Sequence, residues 1–138
     1  MEEEIARMAS EAVAIAAAMK LSLDYSEKSV PRVESALEAV AEHFATLDDA
    51  AKALTAQRFG CYLLVVAQRT YGGRYQWNEE RNQPVLVVGE PNYRVAIITW
   101  DKVAERLAGD ATDDITFFWA GFAMRAKAKT AGSDFLFV

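Results

Sequence analysis

FGCYLLVVAQRTYGGRYQWN, residues 59 to 78, decides the fold, because the hydrophobic period changes within it. The segment from Cys61 to Ala67 is continuously apolar and belongs to a helical region that runs toward Tyr71. After the pair Gly72-Gly73, aromatic and polar residues alternate, which is the pattern of a strand with one buried face. The stretch therefore predicts a helix that ends at the glycine pair, with Gly72 in the αL conformation, and a strand that follows it.

Helical patterns fill the chain before this stretch. Apolar residues recur at steps of three and four from Glu3 to about Leu21, and again from Val30 to Phe44. The hydroxyl of Ser29 is the predicted N-cap of the second helix. Three acids are predicted to face outward from that helix: Glu34, Glu38 and Glu42.

The third helical region starts after a capping signal at Thr46 and is long for a globular helix. Gly60 lies near its middle, so we expect a bend or break there. Beyond the strand after Gly73, two β-branched runs, residues 84 to 88 and 93 to 99, are separated by a turn composition. Three short strands joined by tight loops most simply form an antiparallel meander.

Two more helices and a terminal apolar segment complete the chain. We expect a short helix from Asp101 to Ala108, and Thr112 is expected to cap a final helix that opens with Asp113 and Asp114. The last five residues, DFLFV, are expected to pack as a terminal segment, with an edge strand as the alternative. The whole predicts one α+β domain over residues 1 to 138, with about five helices packed against a small three-stranded antiparallel sheet.

The totals exclude several functional classes. The chain has 138 residues, a formal charge of -5 and a pI near 4.9. General nucleic-acid binding requires clustered Lys and Arg side chains, so this charge balance argues against it. One cysteine and one histidine supply neither an internal disulfide nor a four-ligand zinc site. No apolar run approaches the roughly 20 residues of a membrane span, and MEEEIARMAS lacks the basic start of a signal peptide. We therefore expect a cytoplasmic protein with no metal site, cofactor, nucleic-acid partner or membrane association, and its oligomeric state is left open.

Enzymatic chemistry has little support in the pattern. Cys61 is the only thiol and His43 the only imidazole, but they belong to different predicted helices. Apolar neighbours are expected to raise the pKa of the thiol. The acid pairs Asp48-Asp49 and Asp113-Asp114 stand where the start of a helix favours negative charge, and the third pair, Glu79-Glu80, is expected in a solvated hairpin loop. An enzyme that uses Cys61 or paired carboxylates is therefore the last of the alternatives.

Arginine and aromatic side chains are concentrated around the predicted sheet. Five of them form a candidate interface: Tyr71, Arg74, Tyr75, Trp77 and Arg94. Tyr, Trp and Arg anchor many protein interfaces, because they combine a large buried area with polar reach. The alternative is that the rings fill the core between helices and sheet while the arginines coat its rim.

Three segments resemble a family of small uncharacterised bacterial domains of unknown function: LDYSEKSVPRVESAL, FGCYLLVVAQRTYGGRYQWN and KVAERLAGDATDDITFFWAGF. The family pattern has an LDYS-type helix start, a G-x-Y-L-G-E helix that ends in a glycine pair before an aromatic strand, and a closing helix after a Gly-Asp turn. The matching residues are Gly60, Tyr62, Leu63, Gly72, Gly73, Arg106 and Gly109. Leu64 and Val65 stand where the family has Gly-Glu, so no role of that glutamate is carried over. The resemblance implies a bacterial α+β domain and no established activity.

Three hypotheses of function follow. The first is a small non-enzymatic interaction module that binds a protein partner, such as an inhibitor or immunity protein that masks a toxin or effector. The second is a small-molecule-binding domain with a pocket between the sheet and the C-terminal helix, near Phe118 and Trp119. The third is the enzyme described above.

Overall fold

The computed structural model describes residues 1 to 109, 112 and 114 to 138, and shows an α+β fold. Within these residues the helices are α1 (Glu2–Ala18), a 3-10 turn (Glu27–Ser29), α2 (Val30–Phe44), α3 (Asp49–Tyr71), α4 (Trp100–Leu107) and α5 (Ile115–Ala128). The strands are β1 (Arg74–Asn78), β2 (Gln83–Val88), β3 (Arg94–Ile97) and β4 (Asp134–Phe137). The α+β class predicted from the sequence is confirmed.

The sheet is mixed and has four strands in the order β1-β2-β3-β4, so the prediction of three antiparallel strands was wrong. The pairs β1/β2 and β2/β3 are antiparallel as predicted, whereas β4 pairs parallel to β3, with Val95 opposite Phe135 and Ile97 opposite Phe137. Helices α4 and α5 return the chain to the start of β3, so the terminal segment enters the sheet in the same direction as β3. The terminal DFLF is therefore an edge strand.

Helix α3 is the centre of the core. Every residue from 59 to 67 is buried, which accounts for the continuous apolar run in the sequence. Helix α1 packs along α3, while α4 contacts both α3 and α2. One face of the sheet packs against this helical core, and a second, smaller cluster occupies the other face: Val85, Val87, Ala96 and Ile98. Strand β2 is consequently buried on both faces.

Gly60 does not break α3, which is one continuous helix of 23 residues, so the expected bend is absent. The glycine instead allows α4 to approach. A Cβ at position 60 would lie 2.6 Å from Trp100 Cδ1 and 3.2 Å from Trp100 Cα. The Thr99 hydroxyl also donates a hydrogen bond to the Gly60 carbonyl oxygen at 2.7 Å. Close helix packing, and not a change of direction, is therefore the reason for glycine here.

Two predicted caps are provided by neighbouring residues. Asp48, and not Thr46, caps α3, because its carboxylate accepts the Ala51 N–H at 2.8 Å. Asp114, and not Thr112, caps α5 by accepting two backbone N–H groups, and Asp113 lies outside the described residues. In both cases a carboxylate at the positive end of the helix dipole takes the capping position.

Two other residues at helix ends differ from their predicted conformation or role. Ser29 makes no capping hydrogen bond; its hydroxyl donates to the Ser26 carbonyl oxygen and pairs with the Tyr62 hydroxyl, both at 2.6 Å. Gly72 ends α3 with a positive φ of 77°, as predicted, but its ψ of -155° lies outside the αL region. A positive φ still favours glycine at this position.

Glu34 faces the interior and not solvent, which corrects one of the three outward orientations predicted for α2. Its carboxylate receives the Arg106 guanidinium of α4, and its side chain is 17% exposed. Glu38 and Glu42 are exposed, as predicted. None of the helices within the described residues combines the length and the apolar character needed to cross a membrane.

Candidate functional site

The two tyrosines of the predicted interface are held inside the fold by their own hydroxyl groups. Tyr71 is half-buried and donates to Glu27 Oε2 at 2.5 Å, while its ring packs edge-on against Phe122. Tyr75 is also half-buried, and its hydroxyl donates to the Leu64 carbonyl oxygen at 3.2 Å. Burial is the main cause that raises the pKa of both phenols, so both remain neutral at physiological pH.

The two arginines of the predicted interface lie on the opposite face of the sheet from Trp77. Arg74 pairs across the ladder with Val87, a member of the smaller cluster, so the strand alternation places Trp77 on the helical side. Arg94 is two residues from Ala96 of the same cluster and forms a 3.1 Å ion pair with Asp134. The sheet therefore separates the arginines from the tryptophan, and the five residues do not form one continuous surface.

Trp77 lines an apolar pocket of about 440 Å³ between α1, α3, the β1–β2 hairpin and the start of α4. Its wall is formed by Ile5, Met8, Cys61, Trp77, Pro84 and Trp100. The Trp77 and Trp100 rings meet edge to face, with centroids 6.2 Å apart. Trp77 is nevertheless 43% exposed, because it stands at the mouth of the pocket. The volume lies within the range of roughly 300 to 1,000 Å³ typical of ligand sites.

Cys61 is part of the pocket wall and is fully buried. Its thiol donates to Met8 Sδ at 3.8 Å, and the Trp100 Nε1–H donates to Cys61 Sγ at 3.4 Å. Burial raises the pKa of the thiol to about 11, so the group is neutral near pH 7. His43 is exposed at the C-terminal end of α2. The structure therefore gives Cys61 apolar and indole neighbours, and it does not bring the imidazole to the thiol.

Two polar side chains, Glu4 and Gln57, also line the pocket. The Glu4 carboxylate is paired with the Arg7 guanidinium, and this hydrogen bond is the main cause that lowers the pKa of Glu4. Its charge is thus already balanced by a neighbour on the same helix. The pocket wall therefore favours an uncharged ligand with an apolar body.

The aromatic residues named for the alternative pocket face different sides of α5. Phe118 lines a cavity of about 240 Å³ together with Phe137 of β4, at the predicted position between the sheet and the C-terminal helix. Trp119 instead lines a separate groove with Glu27, and its Nε1–H donates to Glu27 Oε2 at 3.0 Å. The cavity at Phe118 is smaller than most ligand sites.

The acid pairs do not form a catalytic arrangement in the described part of the chain. Asp48 and Asp114 act as helix caps, and Glu79 and Glu80 are exposed in the loop between β1 and β2. Among residues 1 to 109, 112 and 114 to 138, no three His, Cys, Asp or Glu side chains are grouped so that they could hold a metal ion.

The sequence indicated only part of this pocket. Cys61 and Trp77 lie in the stretch from 59 to 78, and Trp100 directly follows the last predicted strand, residues 93 to 99. The helical period of α1 predicts that Ile5 and Met8 are buried, but it does not indicate which residues they contact. Their place in the pocket could therefore not be predicted. A contact between residues 53 positions apart, such as Cys61 to Met8, is decided by helix packing.

The fold and the site define the class of protein: an α+β protein with an apolar pocket where α1, α3 and the start of α4 meet the β1–β2 hairpin. Comparisons with protein-family models, with curated proteins and with solved structures found no match in any of the three. The resemblance to uncharacterised bacterial domains stays a prediction.

Proposed function

We propose that this protein is a non-enzymatic binding module whose recognition site is the Trp77–Trp100 pocket, and that its ligand is a small uncharged apolar molecule. The observation that carries the proposal is the pocket itself, with two indoles, a proline and aliphatic or sulfur-containing side chains around about 440 Å³. Each Å² of apolar ligand surface that such a wall removes from water contributes roughly 25 cal/mol to the free energy of binding.

The polar groups of the pocket are consistent with this class of ligand. The Trp100 indole donor is already used by Cys61, and Glu4 is neutralised by Arg7. A charged ligand would lose its hydration on entering this wall, and the Glu4 carboxylate that it would meet there is already paired with Arg7. Flat aromatic molecules are the best fit, because two indole rings at 83° to each other present both a face and an edge.

A protein partner is the second candidate, and the exposure of the pocket mouth favours it. Trp77 is 43% exposed and Met1 is 54% exposed, and both line the same opening. A tryptophan at the mouth of an apolar pocket is a typical anchor of a protein interface. In this version the pocket receives an apolar side chain of the partner, which is how an inhibitor or immunity protein would use it.

A neutral fluorescent dye, Nile red, tests the primary proposal. Wild type is expected to bind the dye with an emission increase, and Gln57→Trp, which places an indole in the pocket, is expected to weaken binding by about tenfold or more, equivalent to about 1.4 kcal/mol. Leu136→Ala is the matched control, since Leu136 is exposed on β4 and does not line the pocket. Equal binding by all three proteins would refute the assignment of the pocket.

The two candidates are separated by competition. If the ligand is a small molecule, a screen of neutral aromatic compounds is expected to yield binders that displace Nile red and raise the melting temperature of wild type. If it is a protein, a stoichiometric partner is expected to be captured by wild type and Leu136→Ala, lost with Trp77→Ala, and displaced by Nile red. A partner retained by Trp77→Ala would place the protein interface elsewhere.

A further inference from the structure

Gln57 of α3 brings a carboxamide to the wall of the Trp77–Trp100 pocket. The side chain is half-buried, and within residues 1 to 109, 112 and 114 to 138 its amide makes no hydrogen bond. The buried Gln83 differs, since its Oε1 accepts the Trp100 N–H at 3.1 Å and its Nε2 donates to the Arg81 carbonyl oxygen at 3.3 Å. Gln57 therefore offers both a donor and an acceptor to a molecule that fills the pocket.

The position of Gln57 on α3 places its amide within one helical turn of the indole wall. Cys61 follows Gln57 by four residues and lines the same pocket, so the two side chains lie on one face of α3, with Cβ atoms about 5 to 6 Å apart. The Trp100 Nε1–H donates to Cys61 Sγ at 3.4 Å, which holds the indole beside that face. A ring that packs against Trp100 therefore needs only a short substituent to reach Gln57.

The charged residue of the pocket lies at a different end from Gln57. Gln68, in the last turn of α3, donates to Glu2, in the first turn of α1, at 3.2 Å. Because α1 packs along α3, this contact shows that the two helices run antiparallel. Gln57 belongs to the first half of α3, whereas Glu4 belongs to the first turn of α1. A polar group of the ligand can therefore meet the amide without approaching the carboxylate.

An unpaired carboxamide is best matched by another amide. A primary amide or a lactam presents a donor beside an acceptor, so it can form two hydrogen bonds with Gln57, whereas an ester presents acceptors alone. The amide is uncharged, in agreement with the class of ligand proposed for the pocket. A carboxylate would instead bring a second negative charge into a pocket that already contains Glu4.

We propose that the ligand of the Trp77–Trp100 pocket is an aromatic carboxamide or lactam, and that Gln57 is the residue that selects it. The ring packs against Trp100, and the amide forms two hydrogen bonds with the Gln57 side chain. This inference rests on the function proposed above, because it assigns the polar group of the ligand that the same pocket binds.

Two ligands of similar shape test the role of Gln57 by displacement of Nile red: 2-naphthamide, and 2-isopropylnaphthalene, in which an apolar group replaces the amide. Both are expected to displace the dye from wild type. Gln57→Met keeps the length of the side chain and removes both hydrogen-bonding groups. It is expected to weaken the binding of 2-naphthamide about tenfold or more and to change that of 2-isopropylnaphthalene by less than about twofold, because only the amide loses its partners. Gln76→Met is the matched control, since Gln76 is exposed on β1 and does not line the pocket.

The outcomes separate this inference from the function proposed for the pocket. If Gln57→Met weakens both ligands equally, or neither, the role of Gln57 is overturned while the pocket remains a binding site. If Nile red and both naphthalene compounds fail to bind wild type, the proposed function fails and this inference fails with it.

Methyl 2-naphthoate tests whether the amide N–H is recognised. This ester keeps the acceptor of 2-naphthamide but has no donor, so Gln57→Met is expected to weaken its binding less than that of the amide. Equal weakening of the ester and the amide would show that Gln57 recognises a carbonyl group alone, and the assignment of an amide would be wrong.

Discussion

The Arg106 guanidinium binds both carboxylate oxygens of Glu34, with Nε 3.1 and 2.9 Å from the two oxygens and Nη2 2.7 Å from one of them. Glu34 Oε1 also accepts the Ile115 N–H at 3.1 Å. One carboxylate therefore connects α2, α4 and the first turn of α5. The Arg106 and Glu34 side chains are 10% and 17% exposed, so water replaces little of this interaction if it is broken.

Removal of this carboxylate is expected to be costly. Glu34→Ala removes the buried carboxylate that binds the Arg106 guanidinium through both oxygens, and we expect the free energy of unfolding to fall by about 2 to 4 kcal/mol. Glu38→Ala removes an exposed acid from the same helix, and a change within about 0.5 kcal/mol is expected. Urea denaturation of the two variants measures the difference. Equal effects would mean that the Glu34–Arg106 pair adds nothing beyond a surface charge.

The Tyr62 hydroxyl is expected to contribute more than an ordinary buried phenol. It accepts the Tyr25 N–H at 2.8 Å and pairs with the Ser29 hydroxyl at 2.6 Å, which ties α3 to the segment before α2. Tyr62→Phe leaves a backbone donor unpaired, and we expect a loss of about 1 to 3 kcal/mol in the free energy of unfolding. Tyr75→Phe, the matched control, removes only a 3.2 Å bond to a helix carbonyl, so a loss of about 0.5 to 1 kcal/mol is expected. A larger loss for Tyr75→Phe in thermal or urea unfolding would contradict this ranking.

Cys61 is expected to make the stability fall at alkaline pH. Burial raises its pKa from 9.0 to about 11, so the folded state retains the proton over a range where the unfolded state loses it. The contribution of the neutral thiol is fully present below pH 9 and is lost as the pH rises through 11. A shift of this size corresponds to about 3 kcal/mol.

Cys61→Ala removes that contribution. Between pH 9 and 11 wild type is expected to lose more stability than the variant, by up to about 3 kcal/mol. The pKa values of Tyr62 and Tyr71 are also raised, but these phenols are present in both proteins and cancel in the comparison. The pKa of Tyr75 is raised mainly by burial, which both proteins share, and in smaller part by the charge of Cys61, which only wild type has. Urea unfolding at several pH values measures how the free energy of unfolding changes with pH in wild type and in Cys61→Ala. Parallel curves would show that the thiol does not titrate differently in the two states.

The two glycines inside helices are expected to respond oppositely to alanine. Alanine normally favours a helix by up to about 1 kcal/mol. At position 60 the added Cβ would lie 2.6 Å from Trp100 Cδ1 and 3.2 Å from Trp100 Cα, so Gly60→Ala is expected to destabilise the fold by about 1 to 3 kcal/mol. At position 121 the nearest atom is Phe137 Cε1 at 3.3 Å, which can shift, so Gly121→Ala is expected to be neutral or mildly stabilising. Melting temperatures decide, and a stabilising Gly60→Ala would disprove the close approach of α4.

Local patterns in the sequence predicted the elements well where one residue type determines the conformation. The change of period at Gly72-Gly73 correctly placed the end of α3 and the start of β1. Gly60 was misinterpreted, because a glycine within a helical pattern indicates either a break or a close contact. The difference depends on Trp100, which is 40 residues away in the sequence.

The start of α4 shows the same limit. Thr99 precedes the helix but makes no capping hydrogen bond; its hydroxyl donates to Gly60 instead. The Trp100 N–H is accepted by Gln83 Oε1 of β2 at 3.1 Å. Because this acceptor belongs to β2 and not to the residues just before α4, the sequence around the start of the helix does not reveal it.

The sequence by itself determined the α+β class, the main helices, the antiparallel pairing of β1 with β2 and of β2 with β3, and the burial of the run around Cys61. These features follow from periodicity and from backbone preferences, which act within a few residues. The tertiary structure alone decided the parallel fourth strand, the inward orientation of Glu34, the separation of Trp77 from the arginines, and the pocket between Met8 and Trp100. Each of these depends on which surfaces meet, and a buried position in the sequence does not specify its neighbour.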